Sequence, residues 1–137
     1  MSWDSAEITI TREEAEAWLA LMVRELARGD LDALMTLFAP DVRFRLLALA
    51  EEVTGRDALR ELTRDTILSH MQDLTLAFDV WGVKGNEVMT FWRASYFWTP
   101  INEFVELDGV GNFAFSGREN GTLRAVSFVR WFDQTGS

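Results

Sequence analysis

Few side chains in this sequence can carry acid–base chemistry. The chain has 1 His, at position 70, and 1 Tyr, at position 96. The imidazole of His70 could act as a general base, because an ordinary imidazole titrates near pH 6.5. The phenol of Tyr96 could donate a hydrogen bond to a ligand carbonyl. Each residue also has a structural alternative. His70 could bond to a free carbonyl at the end of a helix, and Tyr96 could be a core residue. We treat both as candidate catalytic residues, with the structural alternative open.

Other kinds of reactive centre are missing from the sequence. The absence of Cys excludes thiolate catalysis, disulfides and thiolate-ligated metals. A single His and no calcium-loop spacing leave no metal-binding motif. There is also no glycine-rich phosphate loop and no Gly-x-Ser-x-Gly motif. Asp41 and Asp133 each end an element, where Asp normally caps or turns the chain. We therefore predict no cofactor and no metal.

The charge balance limits the partners. There are 22 acidic and 13 basic residues, for a formal net charge of -9. An acidic surface repels phosphate backbones and anionic lipid, so we expect no nucleic-acid or membrane partner. No signal-peptide pattern opens the chain, and no apolar run is long enough to cross a bilayer. These features predict a soluble, cytoplasmic protein.

Helices are predicted in the first half of the chain. Thr11 begins a capping box, and apolar residues recur behind it at helical spacing as far as Gly29. A second, short helix is expected to carry Phe38 and to stop at Pro40. A third helix follows Gly55. If that helix continues, His70 lies near its end, on the same face as a leucine eleven residues earlier.

Strands are predicted in the remainder. Val42, Phe44 and Leu46 alternate with arginines, which indicates one short strand. Four long strands should follow, separated by tight turns that favour an antiparallel meander. They are expected at about Leu74–Val83, Glu87–Thr99, Phe104–Ser116 and Thr122–Phe132. This element order predicts one α+β domain over residues 1–137, with its core at about 11–133.

Four segments carry a family resemblance: Ala27–Leu34, Leu37–Val42, Gly55–Leu59 and Arg130–Asp133. Together with the element order, they resemble the SnoaL-like branch of the nuclear-transport-factor-2-like (ketosteroid isomerase-like) superfamily. The resemblance implies three N-terminal helices packed into a strongly curved antiparallel sheet that forms a cone around a ligand cavity. It also implies which strand residues face that cavity: Thr90, Trp92, Ala94, Tyr96 and Trp98; Val105, Leu107, Gly109, Gly111, Phe113 and Phe115; and Val126, Phe128 and Arg130.

The catalytic groups of two known branches do not carry over. Ketosteroid isomerases have a Tyr and two Asp residues where this chain has Met22, Leu46 and Gly111. Limonene epoxide hydrolases use an Arg and two Asp residues. Here Arg93 is present, but Ser95 stands at one Asp position and Arg130 near the other. The ketosteroid isomerase activity is therefore disfavoured, and the Asp–Arg–Asp arrangement of the epoxide hydrolases is absent.

Two classes of function remain, and the first of them acts on a hydrophobic, cyclic small molecule. One is an isomerase, cyclase, dehydratase or epoxide hydrolase, with His70 as proton carrier and Tyr96 as oxyanion donor. The other is a non-catalytic binding or dimerisation module. A homodimer is expected through the outer face of the meander, where Phe91 and Phe97 point outward. The predicted ligand-binding residues are Trp18, Met22, Phe38, Phe44, Leu46, Trp92, Phe113, Phe128 and Arg130. Core packing remains the alternative for the aromatic residues, and an ion pair or helix-end contact for Arg130.

Overall fold

The chain folds as a helical layer and one sheet, and the first two strands precede the third helix. The computed structural model describes residues 8–45, 52–119 and 121–134. The helices are α1 (Arg12–Arg28), α2 (Leu31–Met35) and α3 (Arg56–Leu62), and α3 continues into a π-helix (Thr63–Leu68). The strands are β1 (Phe38–Arg45), β2 (Val53–Thr54), β3 (Met71–Lys84), β4 (Glu87–Trp98), β5 (Glu103–Glu119) and β6 (Thr122–Gln134). The α+β class and the four-strand meander are confirmed.

The six strands form one curved, unclosed sheet in the order β2-β1-β6-β5-β4-β3. Every neighbouring pair is antiparallel except β1 and β6, which run parallel with Phe44 opposite Phe128. The predicted antiparallel meander is confirmed, and the sequence-based prediction did not specify that β1 joins it in parallel. A parallel pair needs a long connection, and here α3 and the meander supply it.

Helix α1 follows its sequence signals closely. The Thr11 hydroxyl accepts from the Glu14 backbone N–H, and the Glu14 carboxylate accepts from the Thr11 N–H, both at 3.0 Å. Gly29 ends the helix with φ +69°, and its N–H donates to the carbonyls of Glu25 and Leu26. Such left-handed backbone favours glycine. The predicted first helix is confirmed at both ends.

The second helix ends earlier than predicted. It stops at Met35, and Phe38 begins β1 instead of extending the helix. The Leu37 carbonyl accepts from the Ala125 N–H at 2.9 Å, which joins this segment to β6. Because proline removes a backbone donor and restricts the residue before it to extended backbone, Pro40 sits better here, between the paired residues Phe38 and Arg43 of β1, than in a helix.

A β-bulge in β6 changes which residues face inward. The pairing runs Ala114 with Ser127 and then Phe115 with Ala125, so Val126 is the extra residue. Val126 is buried with Ala39 and Ala114, in a small cluster separate from the main core. The prediction that Val126 faces the cavity is therefore wrong, because one inserted residue reverses the two-residue alternation.

The main core is aromatic and lies between α1 and the inner face of the sheet. Trp18 packs edge-on against Phe38, Phe113 and Phe115, with ring centroids 5.0–5.6 Å apart. The Trp18 Nε1 donates to the Leu37 carbonyl at 3.3 Å, so its one polar atom is satisfied on burial. Among the described residues, no helix is both long and apolar enough to span a membrane.

Candidate functional site

A cavity of about 180 Å³ lies between the helices and the inner face of the sheet. Its helical side comes from α1, α2, α3 and the π-helix, which supply Met22, Leu26, Leu34, Met35, Leu59, Leu62, Thr63, Thr66 and Ile67. Its sheet side comes from five strands, which supply Phe38, Met71, Leu74, Leu76, Phe78, Trp92, Ala94, Tyr96, Leu107, Gly111, Phe113, Phe128 and Val129. The cone therefore encloses an apolar, aromatic-lined space.

The chemistry of this lining is limited. Its polar side-chain groups are three hydroxyls, on Thr63, Thr66 and Tyr96, and the indole N–H of Trp92, and no described lining residue is acidic, basic or a histidine. The Thr63 hydroxyl donates to the Leu59 carbonyl at 2.8 Å, so it stabilises its own helix. The described lining can hold an uncharged apolar molecule away from water.

Six of the predicted site residues meet at this cavity: Met22, Phe38, Trp92, Tyr96, Phe113 and Phe128. Trp92 and Tyr96 are buried on the inner face, as the resemblance implied. Trp18 and Phe44 lie in the surrounding core, where Phe44 stacks on Phe128 at 5.3 Å. Leu46 and the side chain of Arg130 lie outside the described residues.

His70 packs beside Trp98 and is not one of the cavity-lining residues. Its ring is edge-on to Trp98, with centroids 5.4 Å apart, and the Trp98 ring is 6.2 Å from that of Tyr96. The π-helix explains the placement. An uninterrupted α-helix would put residue 70 on the face of Leu59, but the wider π-helical turns rotate the residues that follow. The pairing of His70 with Tyr96 in catalysis stays a prediction.

Gly111 is tightly enclosed on the cavity wall. A Cβ there would lie 3.2 Å from the Thr90 Oγ1 and 3.5 Å from the Trp92 Cδ1. The Thr90 hydroxyl itself donates to the Gly111 carbonyl at 3.0 Å. Met22 and Gly111 both line the cavity, so two of the three ketosteroid isomerase positions face the site and carry no polar side chain.

The resolved pKa shifts in the described residues belong to exposed ion pairs away from the cavity. A hydrogen bond from Arg118 is the main reason that the pKa of Glu14 falls from 4.5 to about 2. Arg64 lowers the pKa of Asp65 in the same way. No group of three or more potential metal ligands occurs in this part of the chain. The electrostatics of the described residues therefore mark no reactive centre.

Sequence reasoning missed much of the lining from the helical layer and β3. Leu59, Leu62 and Ile67 share one helix face in the sequence pattern, but nothing in the pattern indicates that they cover a space. Leu74, Leu76 and Phe78 alternate along β3, which does predict a buried strand face. Thr63 and Thr66 lie in the π-helix, and nothing in the sequence pattern marks them as site residues.

Comparisons with known proteins agree with this architecture. Residues 16–134 match the SnoaL-like domain family. An LEH-like epoxide hydrolase from M. tuberculosis has a similar structure at 17% identity, covering 88% of this chain and 84% of that chain, with a TM-score of 0.69. A putative SnoaL-like polyketide cyclase from Shewanella denitrificans is 12% identical, covers 90% and 92%, and gives a TM-score of 0.72. No curated protein matches the chain. These structural likenesses show the fold alone.

Proposed function

This chain belongs to the SnoaL-like domain family, and we propose that it binds a hydrophobic, cyclic small molecule inside its cone. The observation that carries this proposal is the cavity of about 180 Å³, with a described lining that is aliphatic and aromatic apart from three hydroxyls. Apolar cavities of this size stay dry and take up apolar molecules. Trp92 and Phe113 offer flat faces to a ring, and Met22 offers an adaptable thioether.

Binding of naphthalene to the purified protein tests this proposal. Because Trp92 lines the cavity, we expect saturable quenching of tryptophan fluorescence and a rise in melting temperature. The blocking variant is Ala94→Leu, which fills the cavity, and the matched control is Ala77→Leu on the exposed face of β3. Saturable binding that is lost only in Ala94→Leu supports the proposal. Unsaturable binding, or equal binding by both variants, contradicts it.

Catalysis is a second candidate, favoured by the position of His70. Its ring and that of Tyr96 both lie within 6.2 Å of the Trp98 ring, and Tyr96 lines the cavity whereas His70 lies outside the lining. An imidazole there could move a proton to or from a ligand whose carbonyl is hydrogen-bonded by Tyr96. Similar structures include an epoxide hydrolase and a putative polyketide cyclase. His70→Gln should abolish turnover of any substrate found while leaving the melting temperature unchanged. A loss of stability with turnover intact would show a structural role.

We also propose that the protein forms a homodimer through the outer face of the meander. Trp81 is 62% exposed and stacks on Phe91 with centroids 5.6 Å apart, and Phe104 is 64% exposed beside Phe97. Such rings are costly to leave in water. Arg93 lies opposite Asp108 on the same face, so a two-fold contact can pair charges as well as bury rings. Light scattering at micromolar concentration should give twice the 15.7 kDa mass of the chain, and a monomer would contradict the dimer.

A further inference from the structure

The cavity wall formed by α3 and the π-helix carries a hydroxyl that the fold does not use. Hydroxyls in helices usually donate to a carbonyl of the preceding turn. Thr63 does so to Leu59, and Ser69 donates to Arg64 at 2.6 Å. Thr66 is half-buried and lines the cavity, and among the described residues its hydroxyl has no hydrogen-bond partner. The π-helix therefore presents one unused polar group to an otherwise apolar wall.

The size of the cavity limits what this hydroxyl can meet. At about 180 Å³ it is slightly larger than the roughly 150 Å³ cavity that admits benzene, and well below the roughly 300 Å³ at which sites for drug-sized ligands begin. One or two rings fit this volume, and a four-ring skeleton does not. The described lining has no charged side chain to pair with an ionised ligand. The ligand must therefore be small and neutral.

We propose that Thr66 binds and orients the carbonyl or hydroxyl group of a neutral, one- or two-ring ligand in this cavity. The inference rests on the proposed ligand-binding function and adds the size of the ligand and the residue that recognises its polar atom. A ligand carbonyl next to Thr66 gains a hydrogen bond in a water-poor site. A purely apolar ligand of the same size gains nothing from this residue.

The test compares naphthalene with 1-tetralone, a two-ring ketone, by quenching of tryptophan fluorescence. Thr66→Val keeps the shape of the side chain and removes the hydroxyl, and Thr66→Ser keeps the hydroxyl. The matched control is Thr75→Val, on the exposed side of β3. We expect Thr66→Val to weaken tetralone about tenfold and to change naphthalene less than twofold. Thr66→Ser and Thr75→Val should bind both ligands like the wild type. The steroid progesterone, with four rings, should not bind.

Each result separates the inference from the function on which it rests. If both two-ring ligands bind the wild type but Thr66→Val weakens neither, or both equally, Thr66 is not the recognising residue and the binding function stands. Progesterone binding as tight as that of tetralone would overturn the size limit. If neither two-ring ligand binds the wild type, the binding function itself fails, and the inference fails with it.

Discussion

Filling the cavity should make the protein more stable and unable to bind ligand. Ala94 is half-buried on the inner face of β4, with Leu76 and Leu107 as its cross-strand neighbours, and all three line the cavity. Ala94→Leu projects three more carbon atoms into this space. Most core enlargements strain their surroundings, but here the added atoms enter a volume of about 180 Å³.

The gain can be calculated in two ways. Three added carbons at about 0.8 kcal/mol each give about 2.4 kcal/mol of burial. A cavity of about 180 Å³ costs about 4 kcal/mol of stability at about 24 cal/mol per Å³. Three carbons fill less than half of this volume, so the substitution recovers less than half of that cost. Ordering a leucine side chain removes about 0.5–1 kcal/mol. We therefore expect the free energy of unfolding to rise by about 1.5 kcal/mol.

Urea unfolding measures this change directly. With a slope of about 2 kcal/mol per M, the midpoint should move up by about 0.7 M. The control Ala77→Leu, on the exposed face of β3, should change stability by less than about 0.5 kcal/mol. An Ala94→Leu protein less stable than the wild type would refute the reasoning, because it would mean that the space is already filled. Greater stability with unchanged naphthalene affinity would place the ligand elsewhere.

Three further predictions concern the frame around the cavity. Glu14→Gln should remove a pH-dependent part of stability, since the folded pKa of Glu14 is about 2 against 4.5 unfolded. The wild-type advantage over this variant should be complete above pH 4.5 and should disappear as the pH falls towards 2, in urea titrations across that range; a constant difference would show that the Arg118 contact has no effect. Thr11→Ala should lower the free energy of unfolding by about 1 kcal/mol through loss of the helix cap, whereas Thr11→Ser should retain most of it. Phe44→Ala should cost about 3–5 kcal/mol, because that ring is 1% exposed and stacks on Phe128, and a cost below 1 kcal/mol would contradict the packing.

The parts of the fold that local chemistry specifies could be predicted from the sequence. The capping box at Thr11 and the glycine at the end of α1 act within one helical turn, so neighbouring residues contain the whole signal. Along β4 the family resemblance implied that Trp92 and Tyr96 face inward, and their burial confirms it. The tight turn at Gly85 fixes the register of β3 and β4.

The parts that depend on distant residues could not be predicted. The bulge at Val126 lies in β6, which pairs with both β5 and β1, and no residue near position 126 predicts it. The apolar residues as far as Ile67 keep the spacing of an α-helix, so the sequence pattern does not reveal the π-helix. Its effect on the direction of the side chains appears only at His70. The cavity is a difference between the volume enclosed by the elements and the volume of their side chains, so composition alone does not give its size.

The parallel pairing of β1 with β6 has a consequence for how the chain is made. Arg43 pairs with Ser127 and Phe44 with Phe128, and most of the sequence lies between these partners. During synthesis β1 leaves the ribosome before the meander, and β6, which pairs with it, is the last of the six described strands to emerge. Until then its apolar residues can join the helices but not the sheet. Folding of this domain should therefore complete only after translation of β6, and premature termination within β6 should leave β1 as an open edge available to other nascent chains.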